Sequence, residues 1–258
     1  MPKYVEVEDA RTMAGLRLVL SPGVPGPWSE AAKGIFYVKK IPYIPVRQKM
    51  GGDPALREWT AQDSAPVAIY NDERPRSTWI EQLYLAERLA PQPALIPQSA
   101  ADRVAMFGYA NELCGENGFA WCKRLLLFHS ALTAPGVSQD ALALTRALAP
   151  KYGYDAARIE DARARVVEIL RGLSARLEQQ HRRGSRYFIG ARLSALDIYW
   201  AAFCAIINPL PDELCPMTPQ FRETYTNRDP AVAQAASPLL YEHRDFIYHE
   251  YLELPVDN

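Results

Sequence analysis

The 258-residue sequence has no surplus of either charge: 29 Lys and Arg stand against 30 Asp and Glu, a formal net charge of −1 at pH 7. Nothing in that balance recommends nucleic acid or an anionic membrane as a partner. Long hydrophobic runs are also missing. The stretch Ala195–Leu210 is broken by Asp197, Asn208 and Pro209, short of the roughly 18–20 apolar residues that a membrane span needs. The opening MPKYVEVEDA is charged and has no apolar core of the kind a secretory leader contains. Cysteine is scarce, and Cys114, Cys122, Cys204 and Cys215 form no CxxC pair. A chain of this length needs no disulfide framework, so free thiols in a reducing cytoplasm are expected. The histidines include no HxxxH pair, so no two imidazoles share a helical face at that spacing and no metal site is expected.

What is present is the composition of an ordinary globular protein, 48% hydrophobic and 23% charged. The length suits one large domain or two small ones. Leu16–Leu20 (LRLVL) reads as a strand, followed by the loop SPGVPGPW and a helix from about Ser29 to Lys40. Tyr43–Arg47 is β-like, with Pro45 favouring a sheet edge. Asp53-Pro54 reads as a helix N-cap with proline at the first position, opening a helix to about Thr60. Pro66–Tyr70 is a third strand, and a helix runs from about Ser77 to Leu89. The order is β-α-β-α-β-(β)-α. Pro91, Pro93 and Pro97 then make a stiff boundary.

Everything after that boundary reads as helix. Ala100–Leu132 is expected as one long helix, with Val104, Phe107, Ala110, Leu113 and Cys114 on one face and Gly115 and Gly118 inside the pattern. Shorter patterns cover Leu142–Leu148, Ala156–His181, Ser194–Ile207 and a last helix from Ser237-Pro238 to about Tyr251.

Three separated features together resemble the glutathione transferase superfamily. One is Ser64-Ala65-Pro66-Val67, similar to the family's strand start with a cis-proline, where glutathione's cysteinyl backbone pairs like an added strand. Another is RSTWIEQLYLAERL. Here Ser77 falls on the serine of the family's Glu-Ser-x-x-Ile-x-x-Tyr-Leu segment, and Arg76 replaces its Glu. The resemblance implies that this helix start holds the γ-glutamyl carboxylate, an arrangement that free N–H groups and the helix dipole favour. An acidic residue would meet the ligand's ammonium, whereas Arg76 could meet only a carboxylate. The third is LSALDIYWA, in which Ser194 and Asp197 have capping-box spacing and Leu193 and Ile198 that of a hydrophobic staple; its role is folding.

The implied fold is α/β plus all-α: a thioredoxin-like glutathione-binding domain over residues 1–97, with an extension over 1–15, and an all-helical C-terminal domain over 98–258. Lys40-Ile41-Pro42-Tyr43 resembles the family's Gly-Ile-Pro-Tyr. Counting back from it sets Gly26-Pro27-Trp28-Ser29 on the omega-like Cys-Pro-Phe-Ala and the bacterial β-etherases' Ser-Pro-Phe-Val. Gly26 therefore stands where a catalytic Cys or Ser is expected, and the nearest hydroxyls are those of Ser29, the preferred catalytic candidate, and Ser21. A second substrate is expected between the domains, near Tyr109, Glu112, Glu116, Trp121, Arg124 and Phe128. The resemblance implies glutathione as cosubstrate, a small apolar electrophile as partner, and a homodimer. The reaction implied is conjugation or ether or halide displacement; the alternative is a binding or regulatory module that uses the fold without catalysis.

Overall fold

The structure is a computed structural model that describes residues 3–49 and 52–257. Met1, Pro2, Met50, Gly51 and Asn258, which belong to the expected domain spans, lie outside the described residues.

Three strands form one mixed sheet in the order β2-β1-β3. β1 (Leu16–Leu20) is central because both its faces are apolar, and all five of its residues are buried. Its one charge, Arg17, donates from Nη1 and Nη2 to the carbonyls of Gly15 and Asn71, at 2.9 and 2.7 Å. β2 (Tyr43–Arg47) pairs with β1 in parallel, with Leu18 opposite Pro45. Among the described residues, the outer side of β2 receives a single bridge, from Val5. Pro45 O and Arg47 N both face Val5, so the N–H that proline lacks points away from the ladder with β1, as an edge strand permits. The N-terminal segment is thus built into the sheet layer rather than appended to it. It adds α1 (Val7–Ala10), whose Val7 and Ala10 join Val19, Val46, Leu56, Val67 and Ile69 in a small core.

α2 (Pro27–Val38) begins two residues before the expected Ser29, because Pro27 is preset for the first helical position and Gly26 is the N-cap. α3 (Pro54–Thr60) is capped by Asp53, whose carboxylate accepts from Leu56 N at 3.0 Å. β3 (Val67–Tyr70) runs antiparallel to β1. The expected fourth strand is reduced to one bridge between Ala68 and Arg76. α4 (Trp79–Leu89) is capped by Thr78 in a capping box with Glu81, not by Ser77, which is the residue before the cap.

The helix expected over Ala100–Leu132 is two helices, α5 (Ala100–Cys114) and α6 (Phe119–Thr133). The chain turns so tightly between them that a Cβ at Gly118 would stand 2.6 Å from Glu112 O, and one at Gly115 would stand 2.7 Å from Asn111 O. Asn117 takes a φ of 59°. The expected α5 face is also corrected. Met106, Ala110, Leu113 and Cys114 are buried, whereas Val104 is 74% exposed. It lies about 160° around the helix from Met106.

α7 (Gln139–Leu148) leads through a tight turn at Ala149–Tyr152 to α8 (Ile159–Arg182), α9 (Ala195–Phe203), α10 (Pro219–Tyr225), α11 (Pro230–Ala235) and α12 (Pro238–Tyr251). α9 is buried along its whole length. At its start the fully buried Asp197 accepts from Ser194 N and Oγ, both at 2.8 Å, and from Phe188 N at 2.9 Å; its Oδ1 stands 3.1 Å from His243 Nε2. α9 packs on α2, where a Cβ at Gly34 would meet Ile198 at 3.0 Å and Leu252 at 3.1 Å. One hydrophobic core therefore runs from the sheet layer into the helices.

Candidate functional site

The C-terminal end of β1, the start of β3 and the starts of α2 and α4 converge at one end of the sheet. Val19 is paired with Val67, next to Pro66. Gln82 of α4 donates to the carbonyls of Pro66 and Arg76, both at 3.2 Å. Ser21 Oγ donates to Gln48 Oε1 at 2.5 Å, and Gln48 Nε2 to Asp63 O at 2.9 Å. Ser64, Ala65 and Pro66 follow directly, and the Ala65–Pro66 bond is cis, as the resemblance implied.

At the start of α2, Gly26 has an ordinary extended conformation (φ −68°, ψ 129°) and no side chain to cap the helix. A Cβ there would meet nothing closer than Ser29 Oγ at 3.9 Å. Ser29 is the third residue of the helix, so it is not the N-cap, and it is only 6% exposed. Trp28 reaches into the helical part, donating from Nε1 to Cys114 O at 3.0 Å and meeting the Phe203 ring edge-on at 5.2 Å.

At α4, Arg76 meets a carboxylate, but it is that of Glu73, 2.6 Å away, and its Nη1 donates to Arg74 O at 3.1 Å. Salt bridging to Arg88 and Arg76 holds the Glu73 carboxyl below its ordinary pKa. Ser77 is half-buried beside the capping Thr78. Counted from Thr78 instead of Ser77, Tyr84-Leu85 falls on the family segment's Tyr-Leu pair.

The residues expected to form a second pocket divide into two groups. Trp121, Arg124 and Phe128 gather around Tyr152, which the sequence reading did not single out. Trp121 Nε1 donates to Tyr152 O at 3.1 Å, Arg124 Nη1 donates to Tyr152 Oη at 2.5 Å, and the Phe128 ring lies 5.6 Å from that of Tyr152. The Arg124 guanidinium is held between two rings, 4.9 Å from Trp28 and 4.8 Å from Tyr152, an arrangement that the ring quadrupoles favour. The other group stands apart. Glu112 pairs with Arg165 at 2.5 Å, Glu116 is exposed, and Tyr109 packs on the main core. The APKYGY turn that delivers Tyr152 was marked by Pro150 and by Gly153, which takes a φ of 66°. Next to Tyr152, Lys151 spans to Asp63 at 2.6 Å, both side chains being about two-fifths exposed at 41% and 42%. That bond holds the Asp63 carboxyl below its ordinary pKa.

The cysteines are buried thiols rather than disulfides, and burial pushes the Cys122 thiol up to about 11. None of the described helices is long and apolar enough to cross a membrane.

No family model and no curated protein matches the sequence. Solved structures do match in shape. A glutathione S-transferase of Methylobacterium radiotolerans in complex with glutathione sulfonate is 15% identical, with a TM-score of 0.62 over 92% of each chain. A glutathione S-transferase of Methylobacillus flagellatus with GSH bound is 16% identical, with a TM-score of 0.62 over 91% of this chain and 95% of that one. The β-etherase LigF of a Sphingobium species is 15% identical, with a TM-score of 0.57 over 90% of this chain and 99% of that one. A small mixed sheet with its helices followed by an all-helical part, matched over nine-tenths of its length, gives this chain the glutathione transferase fold: a thioredoxin-like front and a helical back.

Proposed function

We propose that the protein binds glutathione at the sheet end bounded by Ser64–Pro66, the start of α2 and the start of α4, and uses its thiol against a small apolar electrophile. The reaction class is conjugation or displacement of an ether or halide. The observation that carries this reading is the start of α2 at Gly26, which has no side-chain cap, together with the cis bond Ala65–Pro66 before β3. Glutathione is the ligand of several structural neighbours and glutathione sulfonate that of another, and the fold alone does not establish activity. The electrophile lies against Trp28, Arg124 and Tyr152. We set the domain boundary between residues 97 and 98, and the cytoplasm as the compartment.

With Gly26 at the catalytic position and Ser29 buried, backbone N–H groups at the start of α2 hold the thiolate. Loss of a catalytic hydroxyl is tolerable on energetic grounds. Lowering a thiol pKa from about 8.5 to about 6.5 raises its thiolate fraction at about pH 7.4 roughly twelvefold. Intrinsic nucleophilicity then falls roughly eightfold at a Brønsted slope near 0.45. Positioning the thiolate against a bound electrophile contributes far more, up to ~7–11 kcal/mol. The bare Gly26 also favours a second reading, a glutathione-binding module without catalysis; a panel of electrophiles separates the two.

The test is Gly26→Cys, which the open space at that position accommodates. Incubated with oxidised glutathione, the variant is expected to gain one glutathione at residue 26 by mass spectrometry, while the wild type gains none there. A folded variant that stays unmodified moves the thiol site elsewhere. The protein is further expected to be a homodimer through α4 and α5, where Tyr84 (52% exposed) and Val104 (74% exposed) lie on the surface. Sedimentation at micromolar concentration giving 29.0 kDa, the mass of one chain, overturns that expectation.

A further inference from the structure

Beside the start of α2 stands a cation with no acid partner among the described residues. Arg47, Arg88 and Arg244 each lie over an aromatic ring, and each also pairs with a carboxylate, of Glu6, Glu73 and Asp245. Arg17 lies over Trp59 and donates to backbone carbonyls. Arg124 lies between the Trp28 and Tyr152 rings and pairs with no described carboxylate. Arg186, over Phe246, lacks one too, but it is exposed, whereas Arg124 is half-buried. A guanidinium carries a fork of N–H donors, of which Arg124 uses Nη1, on Tyr152 Oη. Its Nε and Nη2 make no hydrogen bond among the described residues, and they are not sealed from water.

Its neighbours tie it to the residues of the proposed thiol site. Trp28 is two residues beyond Gly26. Tyr152 follows Lys151, whose ammonium spans 2.6 Å to Asp63, the residue before Ser64. The other charges nearby are already matched. Lys151 has Asp63, and Glu30 is held by Lys33 at 3.0 Å. Tyr225 is buried, and burial pushes its phenol up against the opposing effect of Arg124. The result is a guanidinium with open donors among aromatic rings.

We propose that the electrophile taken here is an aromatic carboxylate, and that Arg124 is the residue that selects it. The carboxylate accepts from Nε and Nη2, a fork that suits two oxygens, and the apolar ring lies against Trp28 and Tyr152. Small-molecule sites are mostly apolar, with a few polar groups that fix orientation; Arg124 is that group. The inference rests on the reading that the electrophile lies against Trp28, Arg124 and Tyr152, and it adds the charge that the electrophile must carry.

The probes are 3,5-dinitrobenzoate and 3,5-dinitrobenzamide, which share a ring, lack a leaving group and differ in charge. Titrated into the intact protein by calorimetry, the benzoate is expected to bind at one site below about 1 mM, at least about tenfold tighter than the amide. Arg124→Gln is expected to bring the two within about threefold of each other. Lys151→Gln, at the exposed cation next to Tyr152, is expected to keep the preference, and it decides should Arg124→Gln not fold. Saturating glutathione is expected to keep it too. Equal affinities in the wild type, a preference that survives Arg124→Gln, or one lost in Lys151→Gln or to glutathione overturns the proposal. In the last case Arg124 holds a carboxylate of glutathione itself. Turnover is read separately, with glutathione and 4-chloro-3,5-dinitrobenzoate or its amide. The thiolate sulfur bonds to the ring carbon that bears chlorine, the C–Cl bond breaks, chloride leaves with the electron pair, and the thiol proton passes to solvent. Preferred binding of the benzoate without chloride release above the uncatalysed rate overturns the catalytic reading and supports the carboxylate site. Catalysed release at equal kcat/KM from both compounds supports the catalytic reading and overturns the selection by Arg124.

Discussion

The starts of α2 and α9 obey the same physics with opposite outcomes. Each helix begins with N–H groups that have no partner within the helix. At α9 the fully buried Asp197 gathers Ser194 N and Oγ, Phe188 N and His243, and the helix behind it is buried throughout. At α2 the cap is a half-exposed glycine with no side-chain bond. One start is closed by the protein's own side chains, while the other has no side-chain cap and is the one proposed to hold the thiolate. α6 is a useful third case. It too is capped by a glycine with no side-chain bond, but there the reason is steric, since a Cβ at Gly118 would be 2.6 Å from a backbone oxygen. Gly26 is under no such constraint.

The largest expected effect comes from opening the closed start. Asp197→Ala strands three buried donors and the imidazole, with an expected loss of about 3–5 kcal/mol. Against a typical stability of roughly 5–15 kcal/mol, the urea midpoint should fall steeply; an unchanged midpoint would break the contrast. Gly118→Ala forces backbone apart at the α5–α6 turn and is expected to cost about 1–3 kcal/mol, again read from the urea midpoint. The smallest effect on stability belongs to Gly26→Asp, which supplies the missing cap. Glycine and aspartate differ by only a few tenths of a kcal/mol at an N-cap, so the melting temperature without ligand should barely move. The added carboxylate would occupy the N–H groups proposed for the thiolate, so stabilisation by glutathione should disappear. Stabilisation equal to the wild type's would mean that α2 does not hold the thiol.

The front of the fold was legible because its signals are local. Asp53-Pro54 announces α3 within two residues, and the apolar run LRLVL reads as a strand. The α5–α6 break was not, because the apolar spacing continues across Gly115 and Gly118 and the collision that forbids a side chain there comes from the folded turn. Ser77 and Thr78 are equally good caps in sequence; the Glu81 carboxylate, three residues beyond Thr78, decides between them. Around Tyr152, Trp121, Arg124 and Phe128 could be read from α6 as candidates, but Glu112 could not be separated from them, since its partner Arg165 lies 53 residues away. Tyr152 arrives from a turn with no periodicity of its own, so its meeting with Trp28 across Arg124 is a product of packing alone.

Gly34 has a mechanical consequence. Glycine inside a helix costs roughly 0.5–1 kcal/mol relative to alanine, and here its bare backbone lets Ile198 and Leu252 approach to where a methyl group would already be crowded. Two helices seated that closely cannot slide past one another by a residue without collision. α2 and α9 are therefore pinned near Gly34, like a door on its hinge side. At the Trp28 end of α2 the contacts to the back are of another kind: an indole hydrogen bond, an edge-on ring contact with Phe203 and a guanidinium between two rings.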